Sequence, residues 1–276
     1  MTGLLADLPQ PGYPADYLLA RLAARRERWR EMQEGQTGWR ALAVEFRWLY
    51  GQLHRGLRRE LAPLFLYFEL RPLFLFLRAL ASEVGATGKE LLVATLLADE
   101  LKRALLRERE LIAAVRLIGR HWRPAVDLGH LYASGGLAAV EQEVTRQVLA
   151  AGAQSSAALR GFWGAVIDLE NIMALGKRQR WQAKRPFGYW AGGSIFRRRL
   201  GQAEQGRATL PLPMAAVVER AAQAGEWPLE ELLVARVQQQ LRQAERPAAT
   251  AVAAYMWGAY AATRRLAMAQ PREVRA

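Results

Sequence analysis

Cysteine is absent from all 276 residues, which excludes disulfide frameworks, thiolate catalysis and cysteine-ligated zinc. Histidine is nearly absent: only His54, His121 and His130 occur, and no two have H-E-x-x-H or H-x-x-x-H spacing, so a histidine zinc site is not expected. His121, beside Trp122, reads as a packed or interfacial residue. A phosphate-binding loop is also missing. The nearest run, GATGKE at 85–90, has the wrong spacing and carries Glu90 where a hydroxyl should hold magnesium. Gly192-Gly193 does not open a dinucleotide fingerprint, and there is no G-x-S-x-G nucleophile elbow. An acid/base carboxylate pair is unsupported by the sequence. The expectation is therefore no catalytic residue, no cofactor and no metal.

Uninterrupted apolar runs are lacking too. LAPLFLYFELRPLFLFLRALA, residues 61–81, has roughly the length of a membrane span but contains Glu69, Arg71 and Arg78, with Pro63 and Pro72. Each central charge costs about 2.5–3.5 kcal/mol on insertion scales, so the segment reads as a helix buried in protein, kinked or started near Pro72. The opening MTGLLADLPQPGYP has no basic stretch and no long apolar run, and no secretory leader is expected.

Positive charge is plentiful. The formal net charge is +13 and the pI near 10.7, with 51% hydrophobic and 24% charged residues, a globular composition. Of the 39 basic residues only Lys89, Lys102, Lys177 and Lys184 are lysine. Such an excess points to an anionic partner: nucleic acid, lipid headgroups or an acidic protein surface. Trp29, Trp48, Trp163 and Trp257 lie in amphipathic stretches and read as core. WQAKRPFGYW (181–190) is the best segment for stacking on a single strand, and direct nucleic-acid binding is not the favoured reading.

Helical periodicity dominates. Residues 89–119 place Leu97, Leu101, Leu105, Ile112 and Val115 three or four apart or at multiples of a turn, with Asp99 and Arg103 at the spacing of an exposed ion pair. Residues 229–245 form another amphipathic helix, with Pro228 in its first turn, Glu230 and Glu231 complementing its dipole, and Pro247 stopping it. No stretch alternates with period two between hairpin turns. The fold class is all-α.

The chain also resembles itself. YFELRPLFLFLR (67–78) aligns with VIDLENIMALGK (166–177), matching Glu69 to Asp168, Leu70 to Leu169, Leu73 to Ile172 and Arg78 to Lys177. A fainter third copy, YAATRRLAMAQ (260–270), places Leu266 at Ile172. These intervals exceed those of solenoid repeats and suit three successive helical domains. Breaks near SEVGATG (82–88) and KRPFGYWAGGS (184–194) divide them into 1–88, 89–186 and 187–276.

One charge run stands out. From Asn171 to Ala203 there are Lys177, Arg178, Arg180, Lys184, Arg185, Arg197, Arg198 and Arg199, and no Asp or Glu. These eight residues are the partner-binding candidates. Part of the pattern in DLENIMALGKRQRWQ (168–182) suits the helix macrodipole, acidic early and basic late.

Four segments together resemble the 39-kDa accessory-subunit family of A- and V-type rotary ATPases, whose members are the C and d subunits of those complexes. DYLLARLAARRERW (16–29) is similar to its opening Tyr-x-x-Ala-Arg helix, and GFWGAVIDLENIMALGKRQRW (161–181) to its Asp-x-Glu-Asn-Leu helix. WAGGSIFRRRL (190–200) is similar to the Gly-Gly turn that opens its last third, and residues 231–269 to its closing helix pair. HLYASGGLAAVEQEVTRQVL (130–149) adds a weaker match. The chain is shorter than usual for that family, and Ala262, Thr263 and Arg264 replace the usual acids of the third copy.

The resemblance implies a funnel of three similar helical domains about a pseudo-threefold axis. It implies a non-catalytic monomer within a larger complex, peripheral on the cytoplasmic face of the membrane. Its partners would be the central stalk and the membrane c-ring, with anionic headgroups nearby, and its work would be to transmit torque for proton or sodium transport. It also implies a structural role for Asp168 and Glu170. The alternative is a basic helical protein that binds anionic membrane or nucleic acid directly.

Overall fold

The structure, a computed structural model, describes residues 4–9, 13–31, 38–82, 86–124, 126–181, 188–207, 209–211, 215, 226–243 and 247–269. Among them are eleven α-helices and no strand: α1 (Ala15–Glu31), α2 (Trp39–Gln52), α3 (Arg55–Ser82), α4 (Ala86–Ala94), α5 (Asp99–Arg107), α6 (Leu111–Trp122), α7 (Leu128–Ala153), α8 (Arg160–Trp181), α9 (Arg197–Glu204), α10 (Glu226–Gln243) and α11 (Ala248–Ala269). The chain is all-α. It divides into two compact units, Met1–Val148 with Ala251–Ala276, and Leu149–Thr250.

The first unit is organised on α3, which packs against α4 and α6. This helix neither starts nor stops at Pro72; it begins at Arg55 and runs through both Pro63 and Pro72. The cost of two missing N–H donors is met by burial, because Leu61, Leu64, Phe65, Leu66, Leu73, Phe76 and Leu77 are all enclosed. From α2, Leu42, Glu45, Phe46 and Leu49 recur at helical spacing on one buried face. An aromatic cluster of Phe46, Phe65, Phe68, Trp257 and Tyr260 joins α2, α3 and α11. Trp257 is core, as the sequence predicts; Trp48 is half-buried, with the guanidinium of Arg25 3.9 Å from its ring.

Two sequence expectations fail in this unit. The apolar periodicity of 89–119 is not one helix but parts of three, broken at Thr95–Ala98 and Glu108–Glu110. The first break is stabilised from outside: Leu5 bridges Leu97 in antiparallel fashion, Ala6 N–H donates to Leu96 O at 2.8 Å, and Ala98 N–H donates to Leu4 O at 2.8 Å. Nor do Asp99 and Arg103 pair through their side chains. Asp99 takes Lys102 at 2.9 Å instead, and Arg103 Nε donates to the Asp99 carbonyl at 3.3 Å. The exposed carboxylate follows the nearer ammonium, which also donates to Thr95 O.

In the second unit α8 packs against α9 and α10. Trp163 is fully buried, and it crosses α7 so closely at Gly152 that any Cβ there would lie 2.4 Å from its ring. Pro228 falls in the first turn of α10, as the sequence predicts.

Candidate functional site

The acidic start of DLEN does a specific job. Asp168 Oδ1 accepts the Ile195 N–H at 3.1 Å, and Oδ2 accepts the Ser194 N–H at 3.0 Å together with the Ser194 hydroxyl. One turn along the same face of α8, Asn171 Oδ1 accepts the Trp190 N–H at 2.7 Å while its Nδ2 donates to Trp190 O at 3.0 Å. These two side chains hold the segment 190–195 at five polar atoms. The Gly-Gly turn between the anchors is shaped to allow it. Gly192 has φ +104°, and a Cβ on Gly193 would lie 2.2 Å from Asp168 Oδ1.

In the first unit Glu69, the residue matched to Asp168 in the internal alignment, makes one bond of the same kind, through Oε1 alone, and its buried Oε2 has no hydrogen-bond partner among the described residues. Glu69 Oε1 accepts the Leu96 N–H at 3.1 Å, again 27 residues downstream, as Ile195 is from Asp168. Burial pushes the Glu69 carboxyl up to about 7, against the opposing pull of the Leu96 N–H, Lys102 and Arg47.

What the clamped turn presents is cationic and apolar. Ile195 points inward and is buried, whereas Phe196 is 81% exposed. Arg197, Arg198 and Arg199 follow as the first turn of α9, all exposed. Three cations at a helix N-terminus oppose the macrodipole, at roughly 0.3–1 kcal/mol each, and the helix has no side-chain cap. Helix stability does not explain them. Phe196, Arg198, Arg199, Gln202, Arg207 and Thr209 border an open depression of about 920 Å³. The nearest acid in sequence, Glu204, is engaged by the Tyr189 hydroxyl at 3.0 Å, and Arg199 Nε donates to Thr209 O at 3.0 Å.

Of the eight basic residues singled out by the charge run, Arg197, Arg198 and Arg199 share this surface. Lys177 is exposed on α8. Arg178 and Arg180 lie in α8, their side chains outside the described set, and Lys184 and Arg185 lie outside the described residues. Sequence reasoning missed Phe196 and Arg207. The aligned triplets Thr95-Leu96-Leu97 and Ser194-Ile195-Phe196 carry the missing signal, since the same alignment that pairs Glu69 with Asp168 extends to them.

Other polar clusters are internal supports. Arg25 Nε donates to Glu45 Oε1 at 2.7 Å, its second nitrogen contacts Oε2, and the Tyr255 hydroxyl donates to Oε1 at 2.5 Å. Arg58 is buried against the carbonyls of Tyr50, Gly51, Leu8 and Pro9 and closes the end of α2. Among the described residues no group of three or more His, Asp or Glu could hold a metal, and no helix is long and apolar enough to cross a membrane. No protein-family model, curated protein or solved structure matches the chain.

Proposed function

We propose that the chain is a non-catalytic rotor adaptor of an A/V-type ATPase, joining the central stalk to the membrane c-ring and transmitting torque for proton or sodium transport. The carrying observation is the repeated carboxylate clamp, Glu69 to Leu96 and Asp168 to Ile195, with the same 27-residue reach. It supports a protein built by repeating one helical unit, the plan that the resemblance to the 39-kDa accessory-subunit family implies. In the second clamp, the Asp-x-Glu-Asn helix and the Gly-Gly turn, two of the motifs behind that resemblance, are hydrogen-bonded to each other. On this reading the three segments 1–88, 89–186 and 187–276 form a funnel about a pseudo-threefold axis, and the protein sits on the cytoplasmic face of the membrane.

The test is co-expression with the stalk and c-ring proteins of a rotary ATPase from the same genome, followed by membrane washing. The adaptor stays with the detergent-solubilised ring or stalk. Absence of association at low salt, with salt-reversible binding to protein-free anionic vesicles, would replace the rotor reading with direct attachment to an anionic surface. The exposed Phe196 among arginines is the observation that favours this second reading.

A further inference from the structure

The two clamped turns differ in what covers them. In the first unit, Leu96 and Ala98 are paired with the chain's own Leu4–Ala6, and Leu97 between them is 1% exposed. In the second unit the aligned residues are Ile195, Phe196 and Arg197. Neither the Ile195 carbonyl nor the Arg197 N–H makes a hydrogen bond among the described residues, and Phe196 is 81% exposed. The backbone is extended at Phe196, at φ −61° and ψ 135°, but Arg197 is already the first residue of α9, whereas the aligned Ala98 lies just before α5 at φ −53° and ψ 135°. The helix starts one residue earlier than in the first unit. Even so, Leu101 and Leu200, aligned in the first turn of each helix, are both buried.

We infer that the Ile195–Arg197 edge is a docking site for an extended segment of a partner protein, an apolar pair preceded by acidic residues. The first unit supplies the template for its occupant. A residue opposite Phe196 would take the place that Leu5 holds opposite Leu97; its predecessor's carbonyl would accept the Arg197 N–H, and its successor's N–H would donate to the Ile195 carbonyl. This is addition of one short strand to an unpaired edge. Antiparallel polarity then sets the charge order. Residues that precede the central one run toward Arg197, Arg198 and Arg199, so acids belong on that side and apolar residues over Phe196. The aligned helix of the first unit begins with Asp99 and Glu100 instead, so the arginines belong to the open edge and not to the shared helical plan. The inference rests on the two turns alone and holds whether or not the rotor reading does.

The experiment is an NMR titration of the full-length, amide-labelled protein with a capped peptide, Glu-Glu-Leu-Leu-Ala-Ser, and with a control carrying lysines in place of the glutamates. Saturable shifts centred on Ile195, Phe196 and Arg197 are expected, with at least tenfold weaker binding of the lysine peptide. Arg197→Pro removes the donor N–H at the first helical position, where proline is tolerated, and Arg197→Gln removes only the charge. The proline variant should bind several-fold more weakly than the glutamine variant. Phe196→Ala should abolish binding while leaving far-UV circular dichroism unchanged. Equal affinity of the proline and glutamine variants would overturn the pairing. So would the absence of shifts at 195–197 at millimolar peptide, and binding of phosphatidylserine vesicles without any peptide response would assign the surface to lipid.

Discussion

Tyr255 donates its hydroxyl to Glu45 Oε1 at 2.5 Å, joining residues 210 positions apart in sequence. Glu45 is buried and already grips Arg25, so one carboxylate ties α1, α2 and α11 together. Burial, together with the bond to Glu45, raises the Tyr255 hydroxyl far above its ordinary value, so it remains a donor at any physiological pH. Tyr255→Phe should cost about 1–2 kcal/mol in urea unfolding, because it removes one buried hydrogen bond to a charged group. An unchanged midpoint would mean that Glu45 is satisfied by Arg25 alone.

Asp168→Ala should cost on the order of 3 kcal/mol, since two backbone N–H groups and a hydroxyl lose one shared acceptor. The loss should be local before it is global. Amide hydrogen exchange at Ser194 and Ile195 should accelerate under conditions where the α3 core stays protected. Equal acceleration throughout the chain would show that the clamp is not a separate support.

Gly193→Ala should be nearly as damaging, because its Cβ would lie 2.2 Å from a carboxylate oxygen that is itself held by Ile195. A loss of about 2 kcal/mol or more is expected, in the range of other overpacking substitutions. Gly161→Ala, which meets nothing within 4 Å, is the matched control and should be neutral or slightly stabilising.

Much of this was legible in the sequence, for physical reasons. α10 announces itself through Pro228 and its early glutamates, and the basic run is visible because no acid interrupts it. The break between α4 and α5 was not legible. No Gly or Pro lies between Lys89 and Arg103, and the helix ends there because Glu69 and Leu4–Ala6 capture its backbone from elsewhere in the fold. The candidate surface divides the same way. The charge run pointed to Arg197–Arg199, but the exposure of Phe196 follows from the anchoring of its neighbour by Asp168, a contact no local spacing encodes.

Glu69 makes stability depend on pH with a definite sign. Its folded carboxyl titrates near 7, above its ordinary 4.5, so the folded state binds the proton more tightly. The resulting stabilisation is complete below about 4.5 and is lost as pH rises through about 7. Glu69→Gln should flatten this dependence. Near pH 8 it should exceed the parent by up to roughly 3 kcal/mol, and below pH 4.5 the two should be close. Urea unfolding at pH 4.5, 6 and 8 reads the difference directly, and parallel curves for the two proteins would contradict it.

Replacing Arg197, Arg198 and Arg199 together by Glu should leave melting unchanged or slightly raised, because acids suit the first turn of α9. Association with an acidic partner should fall by at least tenfold at low ionic strength. Loss of folding would instead show that these arginines are paired within the unit.

The first compact unit is made of residues from both sides of the second in sequence, Met1–Val148 and Ala251–Ala276. During synthesis its larger part therefore waits for α11, which carries Trp257 and Tyr255 into the core. At roughly 5–20 residues per second that wait is on the order of ten seconds. Throughout it, the aromatic face of α2 and α3 is open to other chains. The intervening unit can finish first, so the order of folding runs against the order of translation. A nascent chain stalled before Ala251 should accordingly engage chaperones through the aromatic face of α2 and α3, not through the more recently made second unit.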